Sequence, residues 1–282
     1  MTPSRDTPSP LGEFLRARRE QIGPEQAGLP DLGRRRVPGL RREELAMLAG
    51  VSVDYYVRLE QGRNDHPSAQ VLDALARVLQ LDVDSAAHLR ALAEPPRPRR
   101  RSASRAAERA NPVLVRALDA LETQPAFVLG RYMDVLAVNP LMEALNDAFR
   151  VGNNIVRSLF LNPASHDLYP EWDKVAVETV ASLRAAIGTD LDDPGFTQLV
   201  GELSVASDEF RQRWARHDVR PKSGGVKRMI HPMVGELELP YETLDLGSTP
   251  GQQLGIYSPE PGSISAERLA MLASLVADGA AR

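Results

Sequence analysis

The stretch from Leu40 to Gly62 constrains this 282-residue chain more than any other. It holds two short helical patterns. Leu45, Ala46, Leu48 and Ala49 form the apolar stripe of the first, and Val53, Tyr56, Val57 and Leu59 that of the second. Ala46 is small where two helices must cross closely, and Gly50 permits the positive φ of a tight turn. Val51 and Tyr56 wedge between the helices, and Leu59 seals the far end. Ser52 caps the second helix. The side chains of Val53, Asp54 and Tyr55 then project forward, with Arg58 one turn on. A helix that reads a DNA groove needs this arrangement: one buried stripe, and reading residues at its N-terminus and one turn later. The spacing alone also suits an αα-hairpin used for protein contacts.

The rest of the first hundred residues reads as helix. Leu11, Phe14 and Leu15 open a stretch that ends near Gly23-Pro24. Ser68 is placed to cap a fourth helix carrying Leu72 and Leu75, and Ser85 a fifth carrying His88, Leu89 and Leu92. The net charge of -4 hides an asymmetry. Residues 1–110 carry 19 Arg, no Lys and 15 acidic residues, a net of +4; the remainder carries 15 basic and 23 acidic, a net of -8. A basic front half points towards nucleic acid, although 31 Arg against 3 Lys in the whole chain shows that arginine is favoured everywhere. Residues 1–10 read as a disordered tail, 11–94 as the helical domain, 95–111 as a Pro- and Arg-rich linker, and 112–282 as a second domain.

That second domain mixes signals. Phe127–Leu129 and Val135–Val138 flank Gly130 and Asp134 as a hairpin. Asn139 caps a helix that opens on Pro140. Trp172 to Ile187 marks a long helix, and Leu199, Leu203, Ala206, Phe210, Trp214 and His217 mark another. From Gly224 the period changes to two, with Leu237, Leu239 and Tyr241 alternating with glutamates; Leu244/Leu246 and Leu254/Ile256 suggest further strands. Ser263 or Ser265 caps a last helix. The expected class is α+β, a small antiparallel sheet with inserted helices. Zero cysteines exclude a disulfide scaffold, cysteine-ligated zinc and thiol catalysis. No run is long enough to span a membrane, and the polar start is unlike a secretory signal. No nucleophile elbow, P-loop, dinucleotide fingerprint or His-Glu-x-x-His stands in the chain, and the five histidines have no ligand spacing. No catalytic residue, metal or cofactor is expected, and the expected compartment is the cytoplasm.

The pattern Ala-Gly-Val-Ser at 49–52 and Leu-Glu-Gln-Gly at 59–62 closely resembles the lambda-repressor-like (XRE family) helix-turn-helix. The resemblance implies a five-helix DNA-binding domain, with Arg42 at a phosphate contact and Val53, Asp54 and Arg58 at base-reading positions. Chemistry refines those roles. Arg58 suits guanine O6 and N7, Asp54 the cytosine amino group or a device against wrong sequences, and Val53 a thymine methyl. Ser52 and Tyr55 border the same face, and Tyr55 suits a phosphate or sugar edge. Arg63, with Asn64, flanks the far side. The insertion at 22–40 departs from a minimal domain of this kind. Its Arg34, Arg35 and Arg36, followed by Arg41 and Arg42, form a further candidate phosphate contact, each adding about one unit to the salt slope; the alternative is a solvated charge run.

Across Leu11 to about Leu275 the chain resembles the MmyB-like transcription regulators. The resemblance rests on Gly-Val-Ser-Val-Asp-Tyr-Tyr at 50–56, Leu-Ala-Val-Asn-Pro at 136–140, Trp-Ala-Arg-His-Asp-Val at 214–219 and His-Pro at 231–232. It continues in Leu-x-Leu-x-Tyr-Glu-x-Leu at 237–244, Gln-x-Leu-x-Ile-Tyr at 252–257 and Pro-Gly at 261–262. Val138 departs from it, since a bulkier residue is expected before Asn-Pro. The resemblance implies a PAS-like domain that holds a small hydrophobic, fatty-acid-like effector between sheet and inserted helices. Phe127, Leu129, Tyr132, Leu136 and Val138 are then expected on the sheet wall, with Phe210, Trp214 and His217 on the helical wall. Arg213, Arg216 or His217, and less so Arg131, would meet an acidic head group. The expected partners are double-stranded DNA, the effector and a second copy of the chain. An effector-free, antitoxin-like interaction module and an enzyme fused to a DNA reader are the alternatives.

Overall fold

Capping chemistry sets the limits of the first five helices. Ser9 accepts a hydrogen bond from the Gly12 N–H at 3.1 Å and starts α1 (Pro10–Gln21), with Pro10 in its first turn. α2 (Arg42–Ala49) begins where Glu44 reaches back to the Arg41 N–H at 2.7 Å. Ser52, Ser68 and Asp82 each accept from the N–H three residues on, and open α3 (Val53–Glu60), α4 (Ala69–Val78) and α5 (Val83–Ala93). Ser85, the expected cap of the fifth helix, instead lies inside it. Asp82 takes the position because its carboxylate forms a charge-assisted bond with the Ser85 N–H at 2.8 Å.

The computed structural model describes residues 9–30, 39–63, 66–94, 108–188, 193–221 and 223–280. Arg34, Arg35, Arg36 and Asn64 lie outside the described residues, as do the tail to 8 and the linker at 95–107. Two compact units emerge. Of the described residues, the first takes those up to 94 together with 188, 193 and 212–220; the second takes 108–187, 194–211, 221 and 223–280. No described helix is long and apolar enough to cross a membrane.

In the helical unit, Leu11, Phe14, Leu15, Leu45, Tyr56, Leu59, Leu75 and Leu89 are buried in one core. α1 crosses the end of α3 so closely that a Cβ on Gly12 would sit 2.4 Å from the Glu60 carbonyl oxygen. The second unit is built on one antiparallel sheet, β1 (Ala126–Leu129), β2 (Val135–Val138), β3 (Gly224–His231), β4 (Gly235–Asp245) and β5 (Gln253–Tyr257). Its strand order is β2-β1-β5-β4-β3. Seven further helices precede α13 (Ile264–Ala280). They are α6 (Pro112–Asp119), α7 (Pro140–Leu145), α8 (Ile155–Leu161), α9 (Ala164–Leu168), α10 (Trp172–Ile187), α11 (Pro194–Ala206) and α12 (Asp208–Trp214). All but α6 fall between β2 and β3, the insertion expected of a PAS-like domain.

Strand alternation sorts the two faces. Ala126 and Val128 point outward into a cluster with Leu118 of α6, Ala137 and Leu136. Phe127 points the other way. Asn139 joins the hairpin to α7 and is buried without cost. Its Oδ1 accepts from Ala126 N at 3.1 Å and Met142 N at 3.0 Å, and its Nδ2 donates to the carbonyls of Leu121 and Gln124 at 2.7 Å. The long helix expected through His217 is broken. Ser207 stops α11, and its Oγ caps α12 by accepting from Phe210 N at 3.1 Å. Ser263, not Ser265, caps α13 (Ala266 N to Ser263 Oγ, 3.1 Å); Ser265 instead accepts from the Glu238 N–H.

Two stability tests follow from these contacts. Gly12→Ala overpacks the α1–α3 crossing and is expected to cost about 1–3 kcal/mol in chemical denaturation. Burial pushes the Asp82 carboxyl up, but the Ser85 bonds with Arg18 and Arg220 outweigh it and hold it below the usual range. A depressed carboxyl contributes its stability above the ordinary range and loses it as pH falls through the lowered value. Asp82→Asn should therefore be less stable than the parent at neutral pH, with the gap closing on acidification.

Candidate functional site

The turn between α2 and α3 is built as its sequence requires. Gly50 takes φ 69° and ψ 30°, and the Val51 N–H bonds the Ala46 carbonyl at 3.0 Å. Ser52 accepts from Tyr55 N at 3.2 Å. Leu45, Ala46, Tyr56 and Leu59 are buried, which fixes the opposite face of α3 towards solvent. On that face Asp54 and Arg58 are paired one turn apart, with side chains 73% and 56% exposed. Val53 is exposed beside them, and Tyr55 is half-buried. Arg41, Arg42 and Arg63 are exposed at the two flanks of the helix pair.

Beneath this surface lies an anchor that sequence reading missed. Glu60, the last residue of α3, is buried. Its Oε1 accepts from Arg19 Nε at 3.1 Å and Nη2 at 2.7 Å, and its Oε2 accepts from Arg42 Nε. Arg19 also donates to the Leu40 carbonyl at 2.8 Å, just ahead of α2. One carboxylate thus ties α1, the start of α2 and the end of α3. Burial disfavours the Arg19 charge, but Glu60 outweighs it and raises the guanidinium above its ordinary value. The nearby Tyr56 hydroxyl is raised by burial and by Glu60. Arg42 remains half-exposed, with its Nε side held by Glu60.

In the sheet unit, the inner face is aromatic. Phe127 lies 4.5 Å from Phe149 and 6.2 Å from Tyr257 between ring centroids, and Tyr257 lies 5.6 Å from Tyr241. Gly255 lets the Phe127 ring settle on the strand: a Cβ there would be 2.2 Å from its Cζ. Leu129 is buried, and Val138 pairs with Phe127 across the hairpin. Tyr132 is half-buried, and its carbonyl accepts from Asn154 at 2.7 Å. Leu136 is partly buried and packs against the α6 cluster. Phe210 is buried against Phe160, at 5.2 Å between centroids, and Phe160 meets Trp172 at 5.6 Å.

Arg213, Trp214, Arg216 and His217 group with the helical unit. α12 ends at Trp214, and His217 takes a left-handed φ of 55° that turns the chain. There the His217 ring meets Phe14 edge-on at 6.4 Å, Asp218 accepts from Arg18 at 2.6 Å, and the Arg216 carbonyl accepts from Gln21 at 2.6 Å. The sequence expectation grouped these residues with Phe210 because it read one unbroken helix.

Residues 110–272 match the family described as the MmyB-like transcription regulator ligand binding domain. Residues 10–89 match a helix-turn-helix domain. The first match covers more than half of the chain. The chain belongs to the MmyB-like transcription regulators. No curated protein matches it.

In this MmyB-like regulator α1 to α5 make up the helix-turn-helix domain, and the sheet unit is the ligand-binding domain. The domains are those of a regulator and point away from an enzyme. The geometry separates two roles on the DNA side. Glu60→Ala leaves Arg19 buried without its counter-charge, and is expected to cost about 3–5 kcal/mol in denaturant unfolding. Arg58→Ala leaves the core intact and is expected to lower discrimination at one base pair by about 1–3 kcal/mol, while Arg42→Ala weakens all sequences alike. Titration of each variant with specific and scrambled duplexes checks this; equal losses on both for Arg58→Ala would remove Arg58 from base reading.

Proposed function

We propose that this MmyB-like regulator binds DNA as a homodimer at a specific operator and that its sheet domain senses a small hydrophobic, fatty-acid-like molecule in the cytoplasm. The single observation that carries the DNA side is α3, held from below by Glu60 and presenting Val53, Asp54 and Arg58 to solvent. One helix reads only a few base pairs. Two copies with reading helices about 34–36 Å apart supply usable specificity. Arg41, Arg42 and Arg63 contact phosphates at the flanks, with Ser52 and Tyr55 beside the reading residues. Arg34, Arg35 and Arg36 add to the salt dependence. On the sensing side, Phe127, Leu129 and Val138 with Phe210 supply apolar walls of the kind small-molecule sites use.

Effector binding acts by shifting a population, and its reach is limited by its differential affinity for the two states; a full switch takes about 5.5 kcal/mol. Residues 212–220 take in the end of α12 and the turn after it, and bond α1 through Arg18 and Asp218. This segment transmits the shift to the reading helix.

Selection of bound sequences from a random DNA pool tests the reading. Recovered sites with two related half-sites one helical turn apart are expected, and single or unrelated sites would count against the dimer. Native mass spectrometry of the purified chain tests the effector; a small apolar mass is expected, and a bound protein instead would favour an interaction module. Arg18→Ala should leave salt-dependent DNA affinity within twofold and reduce the response to effector at least fivefold. An unchanged response removes the segment from the pathway.

A further inference from the structure

The last helix is apolar around more of its circumference than its own domain covers. α13 packs on β4 and α7, and its Leu269 and Leu272 are buried. Away from such a stripe, a surface helix of a globular protein is expected to be polar. Here a second apolar stripe runs along the flank of the first. Ile264, Arg268, Met271 and Leu275 stand at i, i+4, i+7 and i+11. At 3.6 residues per turn these four fall within about 60° of one another, the spacing of a helix–helix seam. Ile264, Met271 and Leu275 are 67%, 60% and 46% exposed. Between Arg268 and Asp278 the helix carries no charged residue. Arg268 does not interrupt the stripe. It donates to the Glu236 carbonyl of β4, which draws its head group to the sheet, and its methylenes add to the apolar surface. The same bond brings α13 beside the β3–β4 turn, where Met233 is 64% exposed.

The chemistry of the stripe selects its occupant. Glu267 and Asp278 oppose DNA and anionic lipid, and Arg268 is the single basic residue where a membrane-surface helix has several. A second copy of the chain fits. A two-fold axis across the helix runs the two copies antiparallel and maps the stripe onto itself. Ile264 then meets Leu275 of the partner subunit, and Arg268 meets Met271 of the partner subunit. Arg268 also comes within one turn of Glu267 of the partner subunit, so opposite charges approach twice along the seam. A parallel pair would instead set each of these charges against its own kind. The seam is short. Its 17 residues span about 25 Å, too little to bury the roughly 800 Å² per partner of a standard interface. The pair is therefore weak and concentration-dependent by itself, and two half-sites on one duplex reinforce it.

We propose that α13 is the self-association surface of this chain, with the stripe Ile264, Arg268, Met271 and Leu275 packed antiparallel on the same stripe of a second copy. The proposal rests on the homodimer reading above and names its surface.

Sedimentation equilibrium of the full-length chain over a hundredfold range of concentration tests it. A reversible monomer–dimer equilibrium is expected. Met271→Glu combined with Leu275→Glu should raise the dimer dissociation constant at least tenfold. The thermal midpoint should stay within a few degrees, because both side chains are exposed in the single chain. A dimer unmoved by the two substitutions overturns the surface and leaves the homodimer reading standing. A parent chain that stays monomeric also overturns the surface, and the half-site pattern of selected DNA then decides the homodimer reading by itself. The chain has no cysteine, so introduced thiols report orientation without background. Under mild oxidation, Ile264→Cys mixed with Leu275→Cys should cross-link between the two variants, and each alone should not. Cross-linking as fast within one variant as in the mixture overturns the antiparallel seam. If the doubly substituted chain fails to fold, the cross-link decides, and its absence from the mixture overturns the assignment.

Discussion

A carboxylate buried at the end of α3 holds the helix-turn-helix in place. Glu60 accepts from Arg19 and Arg42, and Arg19 bonds on to the Leu40 carbonyl. A buried ion pair is a poor source of net stability, because desolvation offsets much of the attraction. Its value here is geometric. Apolar packing of Tyr56, Leu59 and Leu45 brings α2 and α3 together but is non-directional. The charged, hydrogen-bonded contact fixes the rotation and axial position of α3 relative to α1. Gly12 completes the constraint by letting the two backbones meet. The exposed face of α3 is thus set by groups on its hidden side.

The sheet domain uses alternation for the same end. Each residue of β1 is buried, yet neighbours serve different layers: Ala126 and Val128 close the α6 cluster, and Phe127 enters the aromatic face. Asn139 spends all its hydrogen-bonding capacity on backbone groups of the hairpin entry and α7. The hairpin can therefore be buried on both sides with its connection satisfied.

Much of this was legible in the residues. The Gly50 turn, the Ser52 cap and the outward Asp54 and Arg58 follow from local rules of φ and hydrogen bonding. So do the hairpin at Gly130 and the period-two run through Tyr241. Long-range polar pairing was not legible. Nothing local to Glu60 names Arg19, 41 positions away, and nothing local to Lys227 names Glu178. The break at Ser207 was hidden because apolar spacing continues across it, whereas the cap bond to Phe210 N depends on a hydroxyl that also fits a helix interior. One unbroken helix would have carried Trp214 and His217 on with Phe210, whereas the chain turns at His217 and they group with the helical unit. Tyr241 and Tyr257 gave no signal of a shared neighbourhood, because the β4–β5 pairing that brings them together is a property of the whole sheet.

Both units carry cations that already have acidic partners, and burial makes those partnerships differ in kind. Arg58 and Asp54 are more than half exposed, so their i, i+4 pairing is worth about 0.3–0.5 kcal/mol and is easily exchanged for another partner. Lys227 is 9% exposed at its side chain and Glu178 31%, under the Tyr241 ring. Separating that pair leaves a charge in a poorly solvated place, a loss of a different order. The α3 pair is therefore free to change partners, whereas the pair of β3 and α10 keeps its partners fixed.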